Sequence, residues 1–119
     1  MSTRFPCYLA PLRKEWDLSQ EELAALLPRG RRNRISDVES GKAEPNAEEI
    51  LAYSLIFGFP PHRIFPRYVE KIEDSVMLAG HALYERLEGD TSPEAAMKRR
   101  LLERLPKNAA STKANDQRA

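Results

Sequence analysis

Cysteine is nearly missing from this 119-residue chain. Cys7 stands alone, so no disulfide can close within the chain, and a cytoplasmic setting is the simplest expectation. At its place before the first helix, Cys7 reads as a small apolar residue. Met1–Ala10 holds no apolar run of secretory length, so no signal peptide is expected. No stretch approaches the ~20 apolar residues of a membrane span, so no membrane partner is expected. Glycines number 5 and aromatics make up 8% of the chain. Alternating apolar patterns are also scarce, which disfavours sheets and predicts an all-α fold. There is no internal repeat.

The usual marks of catalysis are absent too. His62 and His81 have no cysteine or carboxylate at metal-ligand spacing, and no phosphate-binding glycine loop or nucleophile motif is present. The expectation is a protein without enzymatic activity, metal or cofactor. Residues 66–105 are too short and too charged to enclose a small-molecule pocket.

A net charge of +1 lacks a dominant sign, but it conceals a patch. Arg29, Arg31, Arg32 and Arg34 fall in Leu23–Ser36, a stretch with no acidic residue. Local potential steers a polyanion more effectively than net charge does. With 41% apolar residues the chain can build one domain with an appendage.

Helical periods and caps divide the chain. Residues 1–7 read as a flexible arm. Leu9, Leu12 and Trp16 set a first helix over Tyr8–Trp16, with Pro11 in its first turn and Asp17 supplying a left-handed end. Ser19 and Glu22 form a capping box, and Leu18 and Leu23 a hydrophobic staple. Leu23, Ala24, Leu26 and Leu27 give the second helix its buried face. Pro28 stops it and Gly30 permits a tight turn. The third helix, about Arg31–Ser40, has only Ile35 and Val38 as apolar anchors, and Gly41 ends it. Asn46 and Glu49 cap a fourth helix, whose Ile50, Leu51, Ser54, Leu55 and Phe57 make it the most apolar element, closed by Gly58. Pro60-Pro61 opens a short fifth helix that returns Ile64 and Phe65 to the core.

Beyond Phe65 the period narrows. Val69, Ile72, Val76, Ala79 and Leu83 form a heptad seam with two readings, self-dimerisation or folding back onto the same chain, the first being favoured. Gly80 within it weakens the helix by about 1 kcal/mol relative to alanine. After a break at residues 89–93, a last helix to about Leu105 sets Met97, Leu101 and Leu105 opposite Lys98, Arg99 and Arg100. Residues 106–119, polar and without apolar period, read as a disordered tail.

Two short helices joined by a tight turn, the second opening with arginines, are how a helix-turn-helix presents a recognition helix to the DNA major groove. On the third helix, Arg31, Arg32, Asn33, Ser36 and Asp37 are the candidate base contacts. Arginine reads guanine and asparagine reads adenine by paired hydrogen bonds, while aspartate accepts from a cytosine amino group. Gln20 at the second helix's N-terminus, with Arg13, Arg29, Arg34 and Lys42, are candidate phosphate contacts. Arg34 has an alternative in pairing with Glu39 or Asp37.

The segments Leu18-Ser19-Gln20-Glu21-Glu22-Leu23-Ala24, Ile35-Ser36-x-Val38-Glu39-x-Gly41, Pro45 and Ile50–Phe65 together resemble the Cro/repressor-type helix-turn-helix regulators, the XRE family. The resemblance covers residues 8–65. It implies a five-helix lambda-repressor-like DNA-binding domain followed by a C-terminal helical extension, 66–105. It also implies a sequence-specific transcriptional regulator, dimeric on a palindromic operator in double-stranded DNA, cytoplasmic and nucleoid-associated when bound. In that family the glutamine equivalent to Gln20 contacts the DNA backbone and the glutamate equivalent to Glu39 is structural. Departures lie in the turn, where Pro28-Arg29-Gly30 is one residue longer than the commonest spacing. The competing expectation is a protein-interaction module, antitoxin-like or anti-activator-like, in which a protein partner matters more than DNA.

Overall fold

A computed structural model describes residues 7–118, with side chains described for 7–113. The arm expected at residues 1–7 lies outside the described residues except for Cys7. Eight helices and no strand are found among the described residues: α1 Leu9–Glu15, α2 Gln20–Ala25, α3 Arg32–Glu39, α4 Ala47–Phe57, α5 Pro61–Ile64, α6 Pro66–Arg86, α7 Pro93–Glu103 and α8 Leu105–Arg118. The chain divides into two compact units, Met1–Glu70 and Lys71–Ala119, with the division inside α6.

In the first unit, local chemistry sets the helix limits. The Ser19 hydroxyl accepts from Glu22 N at 3.0 Å while Glu22 Oε1 accepts from Ser19 N at 2.9 Å, satisfying two otherwise orphaned donors of α2. Asn46 and Glu49 do the same for α4. Asp17, at φ 61°, takes the left-handed geometry after α1. Between α2 and α3 the left-handed residue is Arg29, at φ 54°. Gly30 serves the turn differently: a Cβ there would lie 1.8 Å from the Ala24 carbonyl oxygen. The chain passes too close to the end of α2 for any side chain.

Leu9, Leu23, Leu27, Ile35, Val38, Tyr53, Phe57, Ile64 and Phe65 meet in one core drawn from α1 to α5 and their joins. Tyr53 and Phe65 rings lie 5.8 Å apart. Several apolar residues stand outside it. Trp16 is the residue after α1 and is exposed, because the helix stops before carrying it back onto the stripe of Leu9 and Leu12. Leu26 lies beyond the last residue of α2 and is likewise exposed. On α4 the inward stripe is Glu49, Tyr53 and Phe57, so Leu51 and Leu55, two positions round from it, are 71% and 85% exposed.

In the second unit α6 uses a face next to the expected seam. A Cβ on buried Gly80 would meet Leu105 Cδ1 at 2.7 Å, Tyr84 donates to Glu103 Oε2 at 2.8 Å, and Glu73 accepts from Lys113 Nζ at 3.1 Å. Glu73, Gly80 and Tyr84 share one side of the helix. Gly80 is therefore a packing contact, and its small size admits Leu105. On the expected seam Ile72, Val76 and Ala79 remain exposed while Val69 and Leu83 are half-buried. The disordered tail expected at 106–119 is corrected over 106–118, which are helical. Pro106 occupies the first turn of α8, where a missing N–H costs little. Leu105 against Gly80 and Lys113 on Glu73 supply tertiary anchors that a search for apolar periodicity does not register.

Candidate nucleic-acid interface

The third helix is held by charge as much as by apolar burial. Only Ile35 and Val38 are buried on α3, contributing about 1.5–3 kcal/mol each. At its C-terminal end Glu39 receives Arg13 through Nε and Nη2, the second at 3.2 Å, and Gln20 Nε2 at 3.0 Å. Arg13 Nη1 also donates to Leu18 O at 2.7 Å. Both side chains of the Arg13–Glu39 pair are nearly buried, at 11% and 8% exposure. The hydrogen bond to Glu39 holds the Arg13 pKa above its ordinary value against the opposing cost of burial. This cluster ties α1, α2 and α3 together.

At the other end the polarity reverses, and α3 supplies the arginine. Arg34 Nε lies 2.6 Å from Glu49 Oε2 and its Nη2 lies 2.7 Å from Glu49 Oε1 and 2.6 Å from Glu44 O. Burial pushes the Glu49 carboxyl up, but the Arg34 hydrogen bonds and the Asn46 backbone N–H outweigh it and leave the pKa lowered. Glu49 thus caps α4 and pairs with α3 at once. After α3, the Asp37 carbonyl accepts from Lys42 N at 2.9 Å and Ala43 N at 3.1 Å, and Gly41 at φ 80° turns the chain away.

Two of the expected phosphate contacts are corrected by these networks. Arg13 is buried on the same stripe as Leu9 and committed to Glu39. Arg34 is committed to Glu49, and neither Glu39 nor Asp37 is its partner. Their guanidinium groups are consumed because each faces a carboxylate that burial would otherwise leave uncompensated. Gln20 is half-buried with its amide on Glu39.

The other expected residues stay at the surface. Arg31, Arg32, Asn33 and Ser36 are exposed, Asp37 is half-buried, and Lys42 is exposed. Arg32 pairs with Glu21 at 2.6 Å and Arg29 with Glu48 at 3.0 Å, both pairs well exposed. Neither Arg31 nor Asn33 has a side-chain hydrogen bond or ion pair among the described residues. The result is a short helix held at both ends, whose inward arginine is spent on the fold and whose start offers Arg31, Arg32 and Asn33 outward.

Elsewhere, the Cys7 thiol lies 3.6 Å from Val38 O, and burial pushes its pKa up. His81 is exposed and 2.6 Å from Glu85, and half-buried His62 lines a groove with Tyr8, Phe59 and Arg63. No group of three or more metal-ligating side chains occurs among the described residues, and no helix among them is long and apolar enough to cross a membrane. The functional weight of Glu49 is the residue role that sequence reasoning missed. Its signal was available, since Glu49, Tyr53 and Phe57 step by four along one buried stripe, and a carboxylate there demands a cation.

Set beside protein families, curated proteins and solved structures, the chain matches none of them.

Proposed function

We propose that residues 8–65 form a lambda-repressor-like helix-turn-helix domain of the XRE type and that the protein is a sequence-specific DNA-binding regulator. The observation that carries this reading is the division of labour on α3. Arg34 and Glu39 lock the helix to α4, α1 and α2, while Arg31, Arg32, Asn33 and Ser36 stand outward on it or just before it. A recognition helix needs that combination, because base contacts specify only when the helix holds its register against the groove. Gln20, Arg29 and Lys42 flank it as phosphate anchors. Arg13 and Arg34 take no part beyond positioning. The exposed Ile72, Val76 and Ala79 of α6, with Val69 and Leu83, are the dimer seam. A two-fold dimer calls for a palindromic operator with half-sites about one helical turn apart.

The test is recovery of bound fragments from a pool of genomic duplexes. The reading expects a shared, two-fold symmetric sequence; recovery without any common sequence would overturn specific recognition.

One observation favours a second reading, the protein-interaction module. Leu26, Leu51 and Leu55 are 55%, 71% and 85% exposed and line a shallow groove of about 390 Å³ beside Pro28. Negligible duplex binding at low salt would favour it, since phosphate contacts make true DNA binding strongest there.

A further inference from the structure

α6 runs unbroken from Pro66 to Arg86, and one stripe of it has no cover. Ile72 and Val76 are 44% and 47% exposed, Ala79 is exposed and Leu83 is half-buried. The four share one helical face, beside the face that receives Leu105 and Glu103. Exposed Ser75 and Ala82 border it, and small side chains let a second helix come close. The order of sizes along the stripe sets the direction of a partner. Against a second copy running parallel, each residue meets itself, and the Ala79 layer is underfilled between those of Val76 and Leu83. Against a second copy running antiparallel, about a two-fold axis level with Met77 and Leu78, Ile72 meets Leu83 and Val76 meets Ala79 in both halves. Large then faces small at the centre, and the layers fill evenly. In the next layer out Val69 meets the aliphatic stem of Arg86.

We infer that α6 pairs antiparallel with α6 of a second copy, setting Ile72 on the partner's Leu83 and Val76 on the partner's Ala79. The inference deepens the dimer of the proposed function and rests on it. Such an interface is isologous, as a two-fold dimer requires. A rise of about 1.5 Å per residue then places the two Pro66 residues about 35 Å apart along the helices. Pro66 follows directly on Phe65, the last of the buried core residues of the first unit. Half-sites one DNA turn apart are separated by about 34–36 Å. The antiparallel pair therefore spaces the two attachment points by the half-site distance. A parallel pair would bring them to about 8–10 Å, the packing distance of two helices. The seam offers about ten residues a side, against about 20–30 in a standard interface. The free dimer is accordingly weak, and a palindromic duplex holds it together.

The test uses full-length chains carrying Cys7→Ser, so that each introduced thiol is alone. Ile72→Cys and Leu83→Cys proteins are oxidised separately and as a mixture, at high protein concentration and without DNA. The mixture should give a disulfide-linked dimer joining residue 72 to residue 83, while each protein alone stays monomeric. In the antiparallel pair the two copies of residue 72 lie about 16 Å apart along the helices, beyond the about 7 Å between Cα atoms that a disulfide can bridge. A second measurement leaves the seam intact: spin labels on an Arg67→Cys variant should lie about 30 Å apart or more in the antiparallel pair, against within about 20 Å in a parallel one. A self-linked Ile72→Cys dimer, the shorter label separation, or protein that stays monomeric at millimolar concentration would overturn the pairing. Duplex binding is read separately on the unaltered chain across a salt series. No binding at low salt would overturn the DNA-binding reading, and the thiol and label results decide the pairing on their own.

Discussion

Arg34 and Glu49 meet at two points, Nε to Oε2 at 2.6 Å and Nη2 to Oε1 at 2.7 Å, and so fasten α3 to α4. The helix that this pair holds buries only two apolar side chains. Removing Arg34 leaves Glu49, with a side chain 9% exposed, without its cation. Arg34→Ala should destabilise the protein toward the lower end of the about 3–5 kcal/mol typical of a broken buried pair, because Arg34 itself is partly solvated. Replacing both residues, as Arg34→Met with Glu49→Leu, should recover part of that loss. Urea denaturation checks both; a single-variant loss below about 1 kcal/mol would count against the locking role.

The same pair sets an acid dependence. The folded-state pKa of Glu49 lies below its ordinary value of 4.5. Its contribution to stability is complete above that unfolded value and is lost as pH falls through the lowered folded value. The stability gap between the wild type and Glu49→Gln should therefore shrink as pH drops from 5 toward 3. Denaturation curves at stepped pH report the gap, and a constant gap would contradict the assignment.

Tyr53 is fully buried, and its hydroxyl has no hydrogen-bond partner among the described residues. Burial accordingly drives its pKa upward. A buried donor without a partner costs about 1–3 kcal/mol, whereas the ring packs against Phe65. Tyr53→Phe should leave the thermal midpoint unchanged or raise it. A clear fall would mean that the hydroxyl is satisfied.

Gly30 is needed for space. Any Cβ at this position collides with the Ala24 carbonyl. Gly30→Ala should cost about 1–3 kcal/mol, the usual range for overpacking, and because the clash lies in the turn it should weaken DNA binding beyond what the lost folded fraction explains. A melting curve and a binding isotherm on the same sample separate the two effects.

Helix positions were legible because they depend on local chemistry. Ser19, Asn46 and Ser92 mark helix starts by their own side chains, and Asp17, Gly41 and Gly58 mark ends by left-handed backbone. Residue 29 was less legible, since nothing in an arginine announces positive φ. Long-range pairing was the least legible. Arg13 and Arg34 look like their surface neighbours in a list of cations; only the stripes Leu9–Arg13 and Glu49–Tyr53–Phe57 distinguish them. The tail at 106–118 escaped notice because its anchors are one leucine against a distant glycine and one lysine on a distant glutamate.

In the proposed function, the outward residues at the start of α3 bind duplex DNA while the inward ones hold the helix. The most direct test of that division is duplex affinity across a salt series for the wild type and an Arg31→Ala/Asn33→Ala variant. These two side chains have no partner among the described residues, so the variant should melt within about 0.5 kcal/mol of the wild type, as neutral surface changes do. Wild-type affinity should fall steeply with salt, and the variant should lose at least about 1–3 kcal/mol on the preferred site. Equal affinities for the two proteins at every salt concentration would contradict that division.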